Sequence, residues 1–146
     1  MEALYGTIIL GIVGIIVTWY HENQRKKLQH NRLLKDLFTE FNTRYNDLQD
    51  KLYELRDIER EKLTPEQKEN IYKYFDLCAE EYFWYKNKSL NDEIWKAWNK
   101  GMNRWYARSE AVKTLWIEEK ENDSKGYISY YLKSWDDDPF SMERFI

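Results

Sequence analysis

The residues best suited to chemistry are Arg25 and His30, which lie in the stretch RKKLQH and form the pattern R-x4-H. An arginine can bind the charge of a phosphate and a histidine can move a proton, so the pair suits chemistry on a phosphate group. The same stretch, with Lys26, Lys27 and Arg32, also fits the basic flank of a membrane helix. The sequence favours the flank, and we assign no catalytic residue.

Metal and disulfide chemistry find few ligands in this chain. Its 146 residues include one cysteine, Cys78, and two histidines. These numbers exclude an internal disulfide and leave no conventional zinc ligand set. The net charge of -3 gives no whole-chain attraction to nucleic acid. We therefore expect no cofactor, no metal and no DNA partner.

The stretch that precedes these basic residues is uncharged from Ala3 to Tyr20, although the mean hydropathy of the chain is -0.87. As a helix it would be ~27 Å long, just enough for a bilayer core of about 30 Å. A cleavable signal peptide would need a basic start and a small-residue cleavage site, and neither is present. The sequence predicts a retained transmembrane helix at residues 3–20.

The charges around this predicted span indicate its orientation. Five Lys/Arg lie within fifteen residues of its carboxyl end, and none precedes it. Cytoplasmic flanks carry such an excess of cations. We expect the chain in the bacterial inner membrane, with its N-terminus outside, the rest in the cytoplasm and the lipid bilayer as a partner.

Small residues recur along the span at steps of four, three and four, which places them on one helix face. They are Thr7, Gly11, Gly14 and Thr18. Small residues allow helices to approach closely in lipid, so this face predicts packing between the spans of a homo-oligomer. His21 and Arg25 continue the row and could line the mouth of a passage. Snorkelling of these two side chains to lipid headgroups is the alternative.

The rest of the chain predicts an all-α fold, with a four- to five-helix bundle at residues 21–135 and a tail at residues 136–146. No proline or glycine occurs between Tyr20 and Pro65, so the membrane helix can continue into the cytoplasm. Apolar residues then follow at alternating steps of four and three. They are Leu34, Phe38, Phe41, Tyr45, Leu48, Leu52 and Leu55. This seam should face a second helix, capped by Thr64, in an antiparallel hairpin.

Later helices are predicted from near Asn91, after Ser109 and at residues 127–135. Tryptophans recur at helical spacing, which favours a core over a surface for stacking nucleic acid bases. The pairs Glu80-Glu81 and Glu118-Glu119 lack the histidines and the spacing of a metal or acid-base site, so we expect them on solvated faces.

Two patterns resemble known proteins. The segment CAEEYFWYKNKSLNDEIWKAWNKGM, from Cys78 to Met102, resembles an uncharacterised group of small bacterial proteins with one N-terminal span and a tryptophan-rich helical domain. The combination of span, single bundle and R-x4-H resembles the membrane-anchored accessory family of type VI-B CRISPR loci. That family is HEPN-like: in HEPN ribonucleases, arginine and histidine from two protomers converge on a phosphate.

This resemblance implies a ring-shaped membrane pore that strengthens antiphage defence by an RNA-guided effector. It puts Arg25 and His30 at the motif positions and implies the effector or its RNA products as partners. Lys26 follows the arginine, where the motif usually has a polar residue such as Asn. Three hypotheses result: a non-enzymatic oligomeric pore, which we favour, a membrane-tethered HEPN-type ribonuclease, and a monomeric membrane adaptor.

Overall fold

A computed structural model describes residues 2–121 of the chain and the side chains of residues 11–121. All regular structure in this range is helical, which confirms the predicted class. The elements are α1 (Glu2–Glu54), a 3-10 turn (Arg60–Lys62), α2 (Pro65–Lys86), α3 (Asp92–Arg108) and α4 (Glu110–Glu121). The helix predicted at residues 127–135 and the tail at residues 136–146 lie outside the described residues.

Helix α1 runs through 53 residues without a break. After Gly14 it contains neither glycine nor proline, the two residues that most often interrupt a helix. Contacts within the chain divide it between Leu37 and Phe38 into two compact units. The first unit is the amino-terminal part of α1, and the second contains the rest of α1 and the helices that follow.

Capping side chains set the start of each later helix. At α2 the Gln67 backbone N–H donates to Thr64 Oγ1 (3.2 Å), and the Thr64 N–H donates to Gln67 Oε1 (2.9 Å). Asn91 Oδ1 accepts from the Ile94 N–H at 2.8 Å at the start of α3. At the start of α4, Ser109 Oγ accepts from the Val112 N–H at 3.3 Å. The three predicted helix starts are confirmed, because each cap satisfies a backbone donor that the helix itself cannot.

The seam of α1 packs against α2 in the predicted antiparallel hairpin. Tyr45 contacts Tyr74, with ring centroids 6.4 Å apart. Four members of the seam are buried: Phe41, Leu48, Leu52 and Leu55. Phe38 departs from the prediction, since it is 45% exposed. Its ring is nearly parallel to that of Trp98, with centroids 6.0 Å apart and planes at 16°, and this contact covers only part of the side chain.

Aromatic side chains join the four helices. The Tyr85 ring of α2 stacks on Trp95 of α3, with centroids 4.8 Å apart, and Phe75 of α2 meets Trp116 of α4 edge-on at 4.9 Å. Three tryptophans are at most 5% exposed: Trp95, Trp105 and Trp116. The prediction that the tryptophan stripes belong to the core is confirmed for these residues.

Candidate functional site in the first part of helix α1

Large apolar side chains lie open along the first part of α1. Ile15 is 71% exposed, Trp19 66% and Ile16 58%. Four further apolar residues of the same stretch are also exposed: Ile12, Val13, Val17 and Tyr20. Soluble monomers rarely leave such a continuous apolar surface open, and surfaces of this kind mark contacts with membranes or other chains. Residues 11–20 are therefore the first candidate site.

Three of the four members of the predicted small-residue face lie within this stretch: Gly11, Gly14 and Thr18. A Cβ atom added at Gly11 or at Gly14 would meet nothing within 4 Å. The Thr18 hydroxyl donates to the backbone oxygen of Gly14 at 2.8 Å, so it is satisfied within its own helix. Thr7, the fourth member of the face, lies outside the residues whose side chains are described. The three others form a shallow, open strip whose polar group needs no further partner.

A groove continues from this strip toward the basic residues. It has a volume of about 570 Å³. Its lining comprises Val17, Thr18, His21, Glu22, Arg25, Lys26 and Gln29. The His21 ring meets Tyr20 edge-on, with centroids 6.0 Å apart. Apolar, cationic and anionic groups therefore share one exposed surface of a single helix.

One chain does not bring Arg25 and His30 together around a phosphate. Five residues along an α-helix correspond to about 140° of rotation and ~7.5 Å of rise, so the two side chains leave α1 in different directions. Both residues are exposed. Joint action on a phosphate would need two copies, as the HEPN resemblance implies.

The predicted membrane flank is also open. Lys26, Lys27 and Arg32 are exposed. None of them forms an ion pair with any residue that the structure describes. Their charges are free to meet an anionic partner outside the chain.

Within the described residues no helix is apolar over a length sufficient to cross a membrane. No group of three or more His, Cys, Asp or Glu residues in the same range could hold a metal ion.

Comparison of the chain with models of protein families, with curated proteins and with solved structures gave no match.

The carboxyl group of Glu81, on α2, is a buried titratable group that the sequence reasoning placed incorrectly. The residue is 6% exposed, and burial raises the pKa of its carboxyl to about 8, against the opposing effect of Arg44. The solvated face predicted for Glu81 is wrong. Arg44 instead forms a bidentate pair with the neighbouring Glu80, at 2.5 and 3.0 Å. The reason is that α2 is buried on more than one face between Asn70 and Tyr82, as a central helix is. Its apolar residues there do not keep to a single stripe, and this is the signal that could have placed Glu81 inside.

An unpaired polar group lies on α3. Asn99 is 4% exposed, and its Nδ2 has no acceptor among the described residues. Its Oδ1 accepts from Asn103 Nδ2 at 2.6 Å.

We predict that Glu81 makes the bundle less stable as the pH rises. Its pKa is about 8 in the fold, against an ordinary value of 4.5. Between these values the unfolded chain loses the proton and the folded chain keeps it, so the free energy of unfolding falls, by about 1.4 kcal/mol per pH unit at most. Urea unfolding of the full chain between pH 5 and pH 8 measures the slope.

The Glu81→Gln variant keeps the shape of the side chain and cannot ionise, so its slope should be flatter and its stability at pH 8 higher. Glu80→Gln is the control, because the adjacent carboxyl is paired with Arg44 and only half-buried. It should retain most of the slope of the native chain, since burial, the largest cause of the raised pKa of Glu81, is unchanged. Equal slopes for Glu81→Gln and the native chain would refute the assignment.

Proposed function

We propose that the protein is a non-enzymatic, oligomeric protein of the bacterial inner membrane that forms a ring-shaped pore and strengthens RNA-guided CRISPR antiphage defence. The observation that carries the proposal is the strip at Gly11 and Gly14, which no described residue covers and which lies among exposed apolar side chains. This arrangement serves contact between copies of α1 in lipid.

No contact among the described residues gives the two glycines a use. A glycine inside a helix costs about 1 kcal/mol relative to alanine. No described atom approaches the place of the missing Cβ at either position, so no internal contact requires a glycine there. Contact with a second helix does require a glycine at these positions, because small residues let two backbones approach closely in lipid.

Lipid would cover the remaining surface of this stretch. Ile12, Ile15 and Ile16 are more than half exposed, and an apolar bilayer removes that surface from water. Trp19 and Tyr20 follow them, at the place where aromatic rings meet the headgroups, and the basic flank comes next. This order supports an α1 that spans the membrane, with the basic flank and the bundle in the cytoplasm.

The role in defence is supported by the resemblance to the type VI-B accessory family. In that setting the ring of α1 helices would permeabilise the membrane of an infected cell. The bundle of α2, α3 and α4 would hold the ring and receive a signal from the effector or its RNA products. The exposed and separated positions of Arg25 and His30 support a role without RNA cleavage by one chain.

We predict that Gly11→Leu combined with Gly14→Leu breaks the assembly. The two added side chains would fill the strip and hold neighbouring helices apart. The oligomer of the native chain should dissociate in mild detergent, as measured by light scattering. Release of a trapped dye from vesicles containing the variant should fall to the level seen with dye-loaded vesicles that lack the protein.

Ile12→Phe combined with Ile15→Phe is the matched control. It adds bulk at the same spacing and depth, but about 100° further round the helix. This variant should keep both the oligomer and the dye release. An intact oligomer with full dye release in the Gly11→Leu, Gly14→Leu protein would contradict the proposed packing.

The ribonuclease hypothesis gives a separate prediction. We expect the purified native chain to leave single-stranded RNA intact, and His30→Ala to retain full membrane permeabilisation. Cleavage products on a denaturing gel that disappear in His30→Ala would overturn the non-enzymatic assignment. Gln29→Ala, an adjacent exposed change, controls for general effects on α1.

A further inference from the structure

Glu22 is the one acidic residue between His21 and Lys35, a segment with five Lys/Arg. Arg25 and Lys26 follow it by three and four residues, the spacings at which side chains on a helix form ion pairs. Among the described residues Glu22 nevertheless makes no ion pair. All three side chains line the same groove.

Comparable spacings do produce ion pairs elsewhere in this protein. Lys73 Nζ lies 2.7 Å from Glu69 Oε1, four residues earlier in α2. Arg44, in the later part of α1, lies 3.7 Å from Glu40. The lining of the groove thus includes one anionic and two cationic side chains that form no ion pair with one another, although their spacing permits one.

We infer that this groove docks α1 of a second copy, with Glu22 of each chain paired to Arg25 or Lys26 of its neighbour. The inference rests on the proposed function and names the contacts that join two neighbouring copies at the cytoplasmic end of the spans. Because the groove includes Thr18, it continues the strip of Gly11 and Gly14 without a gap.

Charge and depth both favour a second copy as the occupant. Copies inserted in the same direction hold Glu22 at equal depth, and Arg25 and Lys26 lie only ~4.5 and ~6 Å further along the helix. Long cationic side chains reach over that distance. Two copies that face each other through this groove are complementary, since each offers the anion that the other's cations need, and such a contact joins copies in pairs.

A lipid headgroup fits the same groove less well. The phosphate would be attracted by Arg25 and Lys26, but the Glu22 carboxylate would repel it. Headgroup binding would also treat Lys26 and the adjacent Lys27 alike, whereas only Lys26 lines the groove. These two lysines therefore separate the two occupants in an experiment.

The test uses the full-length chain in mild detergent and measures self-association by fluorescence transfer between labelled copies. Glu22→Lys should weaken association about tenfold, because like charges then face each other, and Lys26→Glu should do the same. Mixing the Glu22→Lys and Lys26→Glu proteins should restore association, since the pair is reversed between them. Lys27→Glu, with an identical change of charge, should leave association unchanged.

Two outcomes would overturn the inference without touching the proposed function. One is an oligomeric native chain whose association is unaffected by Glu22→Lys. The other is an equal loss in Lys26→Glu and Lys27→Glu with no rescue on mixing, which would indicate binding to anionic lipid. A native chain that is already monomeric would instead remove the proposed function, and the inference with it.

Disulfide trapping checks the same contact independently of affinity. Copies with Glu22→Cys and copies with Lys26→Cys should form a mixed disulfide in oxidising vesicles. A disulfide needs Cα atoms within about 7 Å, and the proposed docking brings these two positions together. The native Cys78 is buried and can stay in place. Mixing Glu22→Cys with Lys27→Cys should give much less product, and equal yields from the two mixtures would contradict the docking.

Discussion

The constraint that matters most for this protein is an apolar helix surface that the described residues leave open, because such a surface is unfavourable in water. Between Gly11 and Tyr20 seven large apolar side chains are 47–71% exposed. Each Å² of such surface in water costs about 25 cal/mol, which favours covering it. In the proposed assembly a bilayer covers the isoleucines, and a neighbouring helix uses the strip at Gly11 and Gly14. The same proposal has the exposed basic residues that follow meet headgroups or other copies of α1.

In the second unit, by contrast, most apolar and aromatic side chains are buried against one another. Trp105 Nε1 donates to Tyr45 Oη at 2.9 Å, which ties α3 to α1 inside the aromatic core. Burial also raises the pKa values of the Tyr74 hydroxyl and of the Cys78 thiol well above their ordinary ranges, so both stay neutral at physiological pH. With Glu81 protonated as well, the interior around α2 holds polar groups but little charge.

Periodicity and caps in the sequence predicted much of this fold. The seam at Phe41, Leu48 and Leu52 and the cap at Thr64 are local patterns, and local patterns survive in the folded chain. What the sequence did not predict depends on packing from several sides. Glu81 is buried because other helices cover α2 on both faces, and a single stripe along one helix does not indicate that.

For the candidate site, too, one part of the arrangement could be predicted from the sequence and another could not. The sequence placed Gly11, Gly14 and Thr18 on one face, and a continuous α1 follows from the absence of breakers after Gly14. It also placed Arg25 and His30 five residues apart, from which their divergence on one helix follows. The unpaired state of Glu22 was not predictable, because its spacing to Arg25 and Lys26 favours pairing within the chain.

Assembly through α1 is the central claim, and the native mass of the full-length protein in mild detergent tests it most directly. One chain weighs 18.1 kDa. Assembly predicts a single species whose protein mass is two or more whole multiples of that value and does not change on tenfold dilution. A protein mass of 18.1 kDa at every concentration would contradict it.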